Sequence, residues 1–186
     1  MVDKSRFLLA GEQSERLLFR KVDQTDFDTW MEFYHDPESV RYWNVATTDP
    51  LANCREWFEK VFYRYSNGLG GMNALINRDT GEFVGQCGLL IQTVDGLTEM
   101  EIGYSIMPNC RRYGYALEAA RKCRDVAFRN QWAESLISII NVDNTPSQGV
   151  ALKNGMREEK RTVYHGNNVV IYRITSTEYA SLMFEA

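Results

Sequence analysis

The stretch Asn109–Ala120, NCRRYGYALEAA, decides how the rest of the chain is read. It puts Arg111 and Arg112, a tyrosine and Gly114 in a row, with Ala116 close behind. Upstream, LTEMEIGYSIM (97–107) reads as a strand; downstream, GYALEAARKCRDVAFRNQ (114–131) is the clearest helical pattern in the chain. The stretch is therefore a strand-to-helix turn. The first turn of a helix leaves backbone N–H groups unpaired, and the helix dipole adds partial positive charge there. An anion can use both. The two arginines add full charge, and the small residues let a ligand approach the backbone closely. Together these features suit a pyrophosphate. No GxxxxGK[ST] or GxGxxG pattern occurs, so neither a Walker loop nor a Rossmann turn is indicated. On these residues alone, a phosphate site and an ordinary solvated turn both stay open.

Working outward, SLISIINV (135–142) reads as a buried strand. Residues 98–142 then form a strand–helix–strand unit, which favours a right-handed crossover between parallel strands. Ahead of it, GGMNALINR, EFVGQCGLLIQTV and LTEMEIGYSIM are three strands joined by the short turns DTG and DG, an antiparallel meander. Further upstream, RLLFRKV (16–22) reads as a first strand. DQTDFDTWMEFYHD (23–36) spaces Phe27, Trp30, Met31 and Tyr34 as a helix, and DPESVRYWN places Pro37 at another helix start. Asp49-Pro50 opens a longer helix to about Tyr65. Its expected apolar face holds Leu51, Cys54, Trp57, Phe58, Val61, Phe62 and Tyr65, and Asn67-Gly68 ends it. After the central unit come a short helix at 145–155 and a hairpin turning at 166–168. The expected fold class is α/β (α+β). A mixed central sheet has an antiparallel N-terminal half that meets a parallel pair around 100–107 and 135–142. Residues 1–14 read as a loose leader and 15–186 as a single domain.

The bulk properties set limits. A chain of 186 residues can bury the core of one domain. Its net charge of −4 argues against general nucleic-acid binding, which needs a basic surface. Four cysteines with no CxxC pair and no nearby histidines argue against a metal site or a disulfide framework. No stretch approaches the roughly 20 apolar residues that span a bilayer, and Phe7–Ala10 is too short for a signal-peptide core. The expectation is a soluble cytoplasmic protein with no membrane partner.

The segment RRYGYA is similar to the Arg/Gln-x-x-Gly-x-Gly/Ala signature of the GCN5-related N-acetyltransferase superfamily, with Arg111, Gly114 and Ala116 in the defining places. EIGYSIMP (101–108) resembles the strand before that signature. NVDNTPSQGVALKNGM (141–156) resembles the segment after it, with Asn144, Ser147 and Lys153 to Met156 matching. DPESVRYW (36–43) resembles the N-terminal helix region of the ribosomal-protein N-terminal-acetyltransferase branch. The likeness spans about residues 15–176. Two departures stand out: Arg112 occupies a position where the branch commonly has glycine, and Met156 replaces phenylalanine.

The resemblance implies an acyl-CoA N-acyltransferase fold with splayed parallel strands, helices on both faces and acetyl-CoA as co-substrate. It places the pyrophosphate against the backbone of Arg112, Tyr113, Gly114, Tyr115 and Ala116. It pairs the pantetheine arm with Ser105, Ile106 and Met107, and offers the N–H of residue 106 or 107 to the oxyanion. An amine would attack the thioester directly, with a carboxylate as base. Strand alternation puts Glu99 and Glu101 on one face, with Glu101 the first candidate and Glu99 the second; either could instead be a plain solvent-facing carboxylate. Ser147 is the candidate hydroxyl near the thiol, or else a helix-start cap. Asn144 would hold the cofactor arm, or else make a turn before Pro146. Tyr42 and Trp43 could line the acceptor site, or belong to the core. His35 and His165 read as structural or exposed, and Cys110 lacks a neighbouring base. The acceptor is an amine: a protein N-terminus as in the branch, or a small polyamine, amino acid or aminoglycoside. A non-catalytic CoA-binding module is the other class, and a homodimer is compatible with either.

Overall fold

A computed structural model describes residues 6–45 and 47–184. Seven strands form one sheet in the order β1-β2-β3-β4-β5-β7-β6. β1 (Leu17–Lys21), β2 (Gly70–Asn77), β3 (Phe83–Val94) and β4 (Leu97–Ile106) pair antiparallel in succession, giving the expected meander. β4 then meets β5 (Ser135–Asn141) in parallel at a single matched pair, Glu101 with Ile137. β5 turns its other edge to β7 (Asn167–Thr175), and β7 pairs with β6 (Arg157–Tyr164). Beyond the one matched pair, β4 and β5 part, and the sheet is split from there on.

The helices follow from local chemistry. α1 (Phe27–His35) buries Trp30, Phe33 and Tyr34. α2 (Pro37–Val40) starts on Asp36, whose carboxylate accepts the Glu38 N–H. α3 (Pro50–Asn67) is capped by Asp49, has proline in its first turn and ends at Gly68. Its buried face is Asn53, Cys54, Phe58 and Val61; Leu51, expected there, is exposed because it lies in the first turn beyond the sheet. α4 (Tyr115–Arg129) lays Ala119, Ala120, Cys123, Val126 and Ala127 on the sheet, and these small side chains permit a close approach. α5 (Thr145–Lys153) is capped by Asn144.

Strand alternation places the helices on opposite faces. On β3, Cys87 meets Cys123 of α4, with sulfurs 3.5 Å apart, whereas Gln92 meets Arg64 of α3. Positions 87 and 92 differ in parity, so α4 and α3 cover different faces.

Three expectations need correction. The supposed loose leader is packed over its described part: Leu9 is fully buried, its N–H donates to Asn73 Oδ1 at 3.1 Å, and the Phe7 ring meets Trp132 edge-on. Three consecutive residues, Phe7 to Leu9, are buried and close a corner of the core. The last hairpin turns on His165-Gly166, both with positive φ, rather than around 166–168. A terminal helix was also missed: α6 (Ser176–Phe184) follows β7, and its Tyr179 stacks on Phe128.

Candidate active site

The split between β4 and β5 opens a cleft of about 1020 Å³. Its walls bring together Tyr42, Trp43, Glu101, Ser105, Asn144 and Ser147, residues far apart in sequence. They reach it from both faces of the sheet. Glu101 lies on the α3 face. Tyr104, paired with Cys87 on the α4 face, donates its hydroxyl to the Ser147 carbonyl at 2.8 Å.

Three carboxylates line the cleft, Glu56, Glu59 and Glu101, and of these Glu101 lies on β4 at the gap. Its Oε2 accepts from Gln92 Nε2 at 2.7 Å, and Gln92 Oε1 accepts from Arg64 Nη2 at 2.8 Å. Burial raises its pKa above the usual carboxylate value, and the Gln92 hydrogen bond and the Arg64 charge offset this only in part. Glu99 has a different fate. It makes a bidentate ion pair with Arg173 of β7, at 3.0 and 2.7 Å, and does not line the cleft. The second candidate base is therefore held away from the site, although it shares a face with Glu101.

Asn144, not Ser147, caps α5: its Oδ1 accepts the Ser147 N–H at 3.2 Å. The Ser147 hydroxyl makes no hydrogen bond among the described residues and lines the cleft. Trp43 serves both readings offered for it, packing on Phe33 and Tyr34 while facing the cleft. Tyr42 lies under the Arg41 guanidinium.

The edge of β4 is open over a shorter span than expected. The Met107 N–H donates to Val84 O at 2.9 Å, so it is not free for an oxyanion, and the Met107 side chain is buried away from the cleft. The Ile106 carbonyl accepts from Arg111 Nε at 3.3 Å, and the Ile102 carbonyl from Ser138 Oγ at 2.9 Å. These contacts show that even-numbered residues of β4 direct their main chain toward β5. The alternation of an antiparallel ladder then leaves the Tyr104 main chain and the Ile106 N–H facing the gap.

The loop at the mouth of α4 is a separate piece of the site. Arg111 is fully engaged: it pairs with Asp36 at 2.8 Å and donates to the Ser39 hydroxyl, tying the loop to α2. Arg16 holds the other side, donating to the Tyr113 carbonyl at 3.0 Å, pairing with Glu118 and lying over the Tyr115 ring. Arg112 is exposed, with φ of 67°, in the left-handed region where glycine is unstrained. Gly114 is the N-cap of α4, at φ 84°, and supplies no capping side chain. The starts of α2, α3 and α5 are each closed by an Asp or Asn; that of α4 is left open.

Residues 16–157 match the acetyltransferase (GNAT) domain family. The chain belongs to the GNAT family. It is an N-acetyltransferase, and the match spans the split strands, the open α4 start and α5. Among curated relatives, an uncharacterised Bacillus subtilis protein, YkkB, is 31% identical over 163 residues, covering 86% of this GNAT chain and 92% of its own. Two solved structures share the fold. One, RimL, a ribosomal L7/L12 alpha-N-protein acetyltransferase in complex with coenzyme A, has a TM-score of 0.70 at 15% identity, covering 89% of this chain and 97% of that one. The other, a spermidine N-acetyltransferase from Vibrio cholerae in complex with coenzyme A and spermine, has a TM-score of 0.70 at 15% identity, covering 89% and 98%.

Sequence reasoning missed Gln92, Arg64, Arg16 and Tyr104. Tyr104 lies within EIGYSIMP and the other three carry no local motif; each is brought to the cleft or to the α4 loop by a partner from another element. No helix among the described residues is long and apolar enough to cross a membrane.

Proposed function

We propose that this protein transfers an acetyl group from acetyl-CoA to a primary amine, with Glu101 as base. The observation that carries this is a partly buried carboxylate of raised pKa in the wall of the gap between β4 and β5. The co-substrate fits the chain on structural grounds: α4 starts without a cap, beside Arg112, and the β4 edge is open at Tyr104. The N–H groups at the start of α4 would hold the pyrophosphate, and the Tyr104 main chain the pantetheine arm. When bound, acetyl-CoA supplies the acetyl thioester.

The protein's own groups do the rest. The acceptor enters on the α3 face, beside Tyr42 and Trp43. Glu101 takes a proton from its ammonium, a role suited to a carboxylate whose pKa lies nearer neutrality than usual. The Ile106 N–H faces the gap, where it can donate to developing negative charge. The Ser147 hydroxyl, on the far face, is free to hold or deliver a proton. The acceptor we favour is a protein N-terminus, following the resemblance at 36–43. The same fold carries a ribosomal-protein and a spermidine acetyltransferase, so a polyamine is the second reading.

Calorimetric titration with acetyl-CoA, followed by thiol release against N-terminal peptides and small amines, tests the proposal. Tight binding with release on one acceptor class is expected. Binding without release on any acceptor would leave two readings, a regulatory module or an acceptor outside the panel. No binding would return the α4 start to an ordinary turn.

A further inference from the structure

We propose that Gln92 is a positioning residue for Glu101, and that Arg64 fixes which way its side-chain amide points. The proposal rests on the reading of Glu101 as base. Arg64 reaches from the last turn of α3 to β3, donating to Ile91 O at 3.0 Å and to Gln92 Oε1 at 2.8 Å. A guanidinium can only donate. It therefore holds the oxygen of the Gln92 amide toward itself and turns the NH₂ toward Glu101. The flipped amide would set NH₂ against the guanidinium and oxygen against the carboxylate, losing both hydrogen bonds. The direction of the relay is thus fixed: Arg64 donates to Gln92, and Gln92 donates to Glu101 Oε2 at 2.7 Å.

A donor of this kind favours the ionised carboxylate. It occupies one lone pair of Oε2 and leaves the rest of the carboxylate to take a proton from the acceptor. Other groups also face Glu101. Arg64 comes from α3, Tyr164 from the end of β6 and the Ile139 N–H from β5, while Tyr104 senses the Glu101 charge from the opposite face of the sheet. Lys60 and His165 line the cleft further out, and Lys60 is paired with Glu56. Burial pushes Glu101 toward the protonated form, in which it cannot act as a base. Among its neighbours, Gln92 makes the strongest correction to that push. Its function in catalysis is to keep enough Glu101 ionised, in one orientation, at working pH.

The test is direct titration of Glu101 by carbon-detected NMR of protein labelled at the glutamate side-chain carboxyls, with Glu101→Gln assigning the resonance. It needs neither co-substrate nor acceptor. Gln92→Leu keeps the size of the side chain and removes the donor, so the Glu101 midpoint should rise. Gln92→Glu should raise it further by adding a like charge, and Arg64→Met should raise it too. An unchanged midpoint in folded Gln92→Leu and Gln92→Glu overturns the relay. The kinetic companion uses acetyl-CoA and the amine giving fastest thiol release. Gln92→Leu should lower kcat about tenfold at pH 7, with KM nearly unchanged and turnover recovering as pH rises. A loss of turnover that no pH restores makes Gln92 merely structural and overturns the positioning role. Full turnover in Glu101→Gln overturns the base reading instead, whatever the NMR midpoints show.

Discussion

The two ends of the gap between β4 and β5 are built from different atoms. At the acceptor end, side chains do the work: Glu101 is partly buried, held by Gln92 and backed by Arg64. At the α4 end, side chains are withdrawn. Gly114 offers no cap, Arg111 is committed to Asp36 and Ser39, and Glu118, the acidic residue of the first turn, is neutralised by Arg16. The contrast follows from the tasks. A base needs one group with a tuned pKa, which only a side chain in a chosen environment supplies. A diphosphate needs several donors at close range, which a bare helix start supplies at once.

The largest expected effect breaks the acceptor end. Glu101→Gln should lower kcat on the order of a thousandfold at pH 7, with acetyl-CoA affinity nearly intact. Steady-state kinetics beside calorimetry would show this; equal losses in both would mean that the ends are not separable. Next comes the α4 end. Gly114→Asp should weaken acetyl-CoA binding about a hundredfold by setting a carboxylate where the dipole favours an anion. A Cβ there meets only Arg16 Nη2 at 3.5 Å, but φ of 84° strains any side chain, so affinity is compared in the variant once unfolding shows it folded. Normal affinity in the folded variant would sink the assignment of this loop.

Smaller effects sharpen the comparison. Glu99 and Arg173 side chains are each 14% exposed, so Glu99→Gln should cost about 2 kcal/mol in denaturant unfolding. Its turnover should stay within about twofold of the parent, because the residue lies outside the cleft. Glu101→Gln should have the opposite sign in stability. At pH 4 the carboxyl is largely protonated, folded or unfolded, and the swap changes little. Above its raised folded-state pKa the parent holds a buried charge that the unfolded chain keeps in water. Melting temperature should therefore rise by roughly 3 °C at pH 8 and hardly move at pH 4. Smallest of all, Arg112→Gly should relieve a left-handed backbone and add up to about 1 kcal/mol of stability, with a loss of about threefold in acetyl-CoA affinity.

Much of the fold was legible because its signals are local. The meander, the strand–helix–strand unit and the α4 start all lie in contiguous stretches with a clear period. Even the departure at Arg112 was readable, and φ of 67° explains why glycine suits that place. One local signal was overlooked: Thr175-Ser176-Thr177-Glu178 is a capping box, with Thr175 and Glu178 bonding reciprocally at the start of α6. The burial of Phe7 to Leu9 was less legible, since nothing in four apolar residues says what will cover them. The loss of the Met107 N–H to Val84 was not legible at all, being a matter of sheet register.

The sequence by itself determined that a strand runs into a helix through a cationic, glycine-bearing turn, and that two carboxylates share one face of that strand. Only the tertiary structure decided between them. Alternation treats Glu99 and Glu101 alike, because both side chains point the same way from one strand. The difference comes from the neighbours. β7 brings Arg173 to Glu99 and neutralises it, while β3 and α3 bring Gln92 and Arg64 to Glu101 at the point where β5 departs. A carboxylate's chemistry is set by the charge and solvent around it, and those arrive from distant parts of the chain.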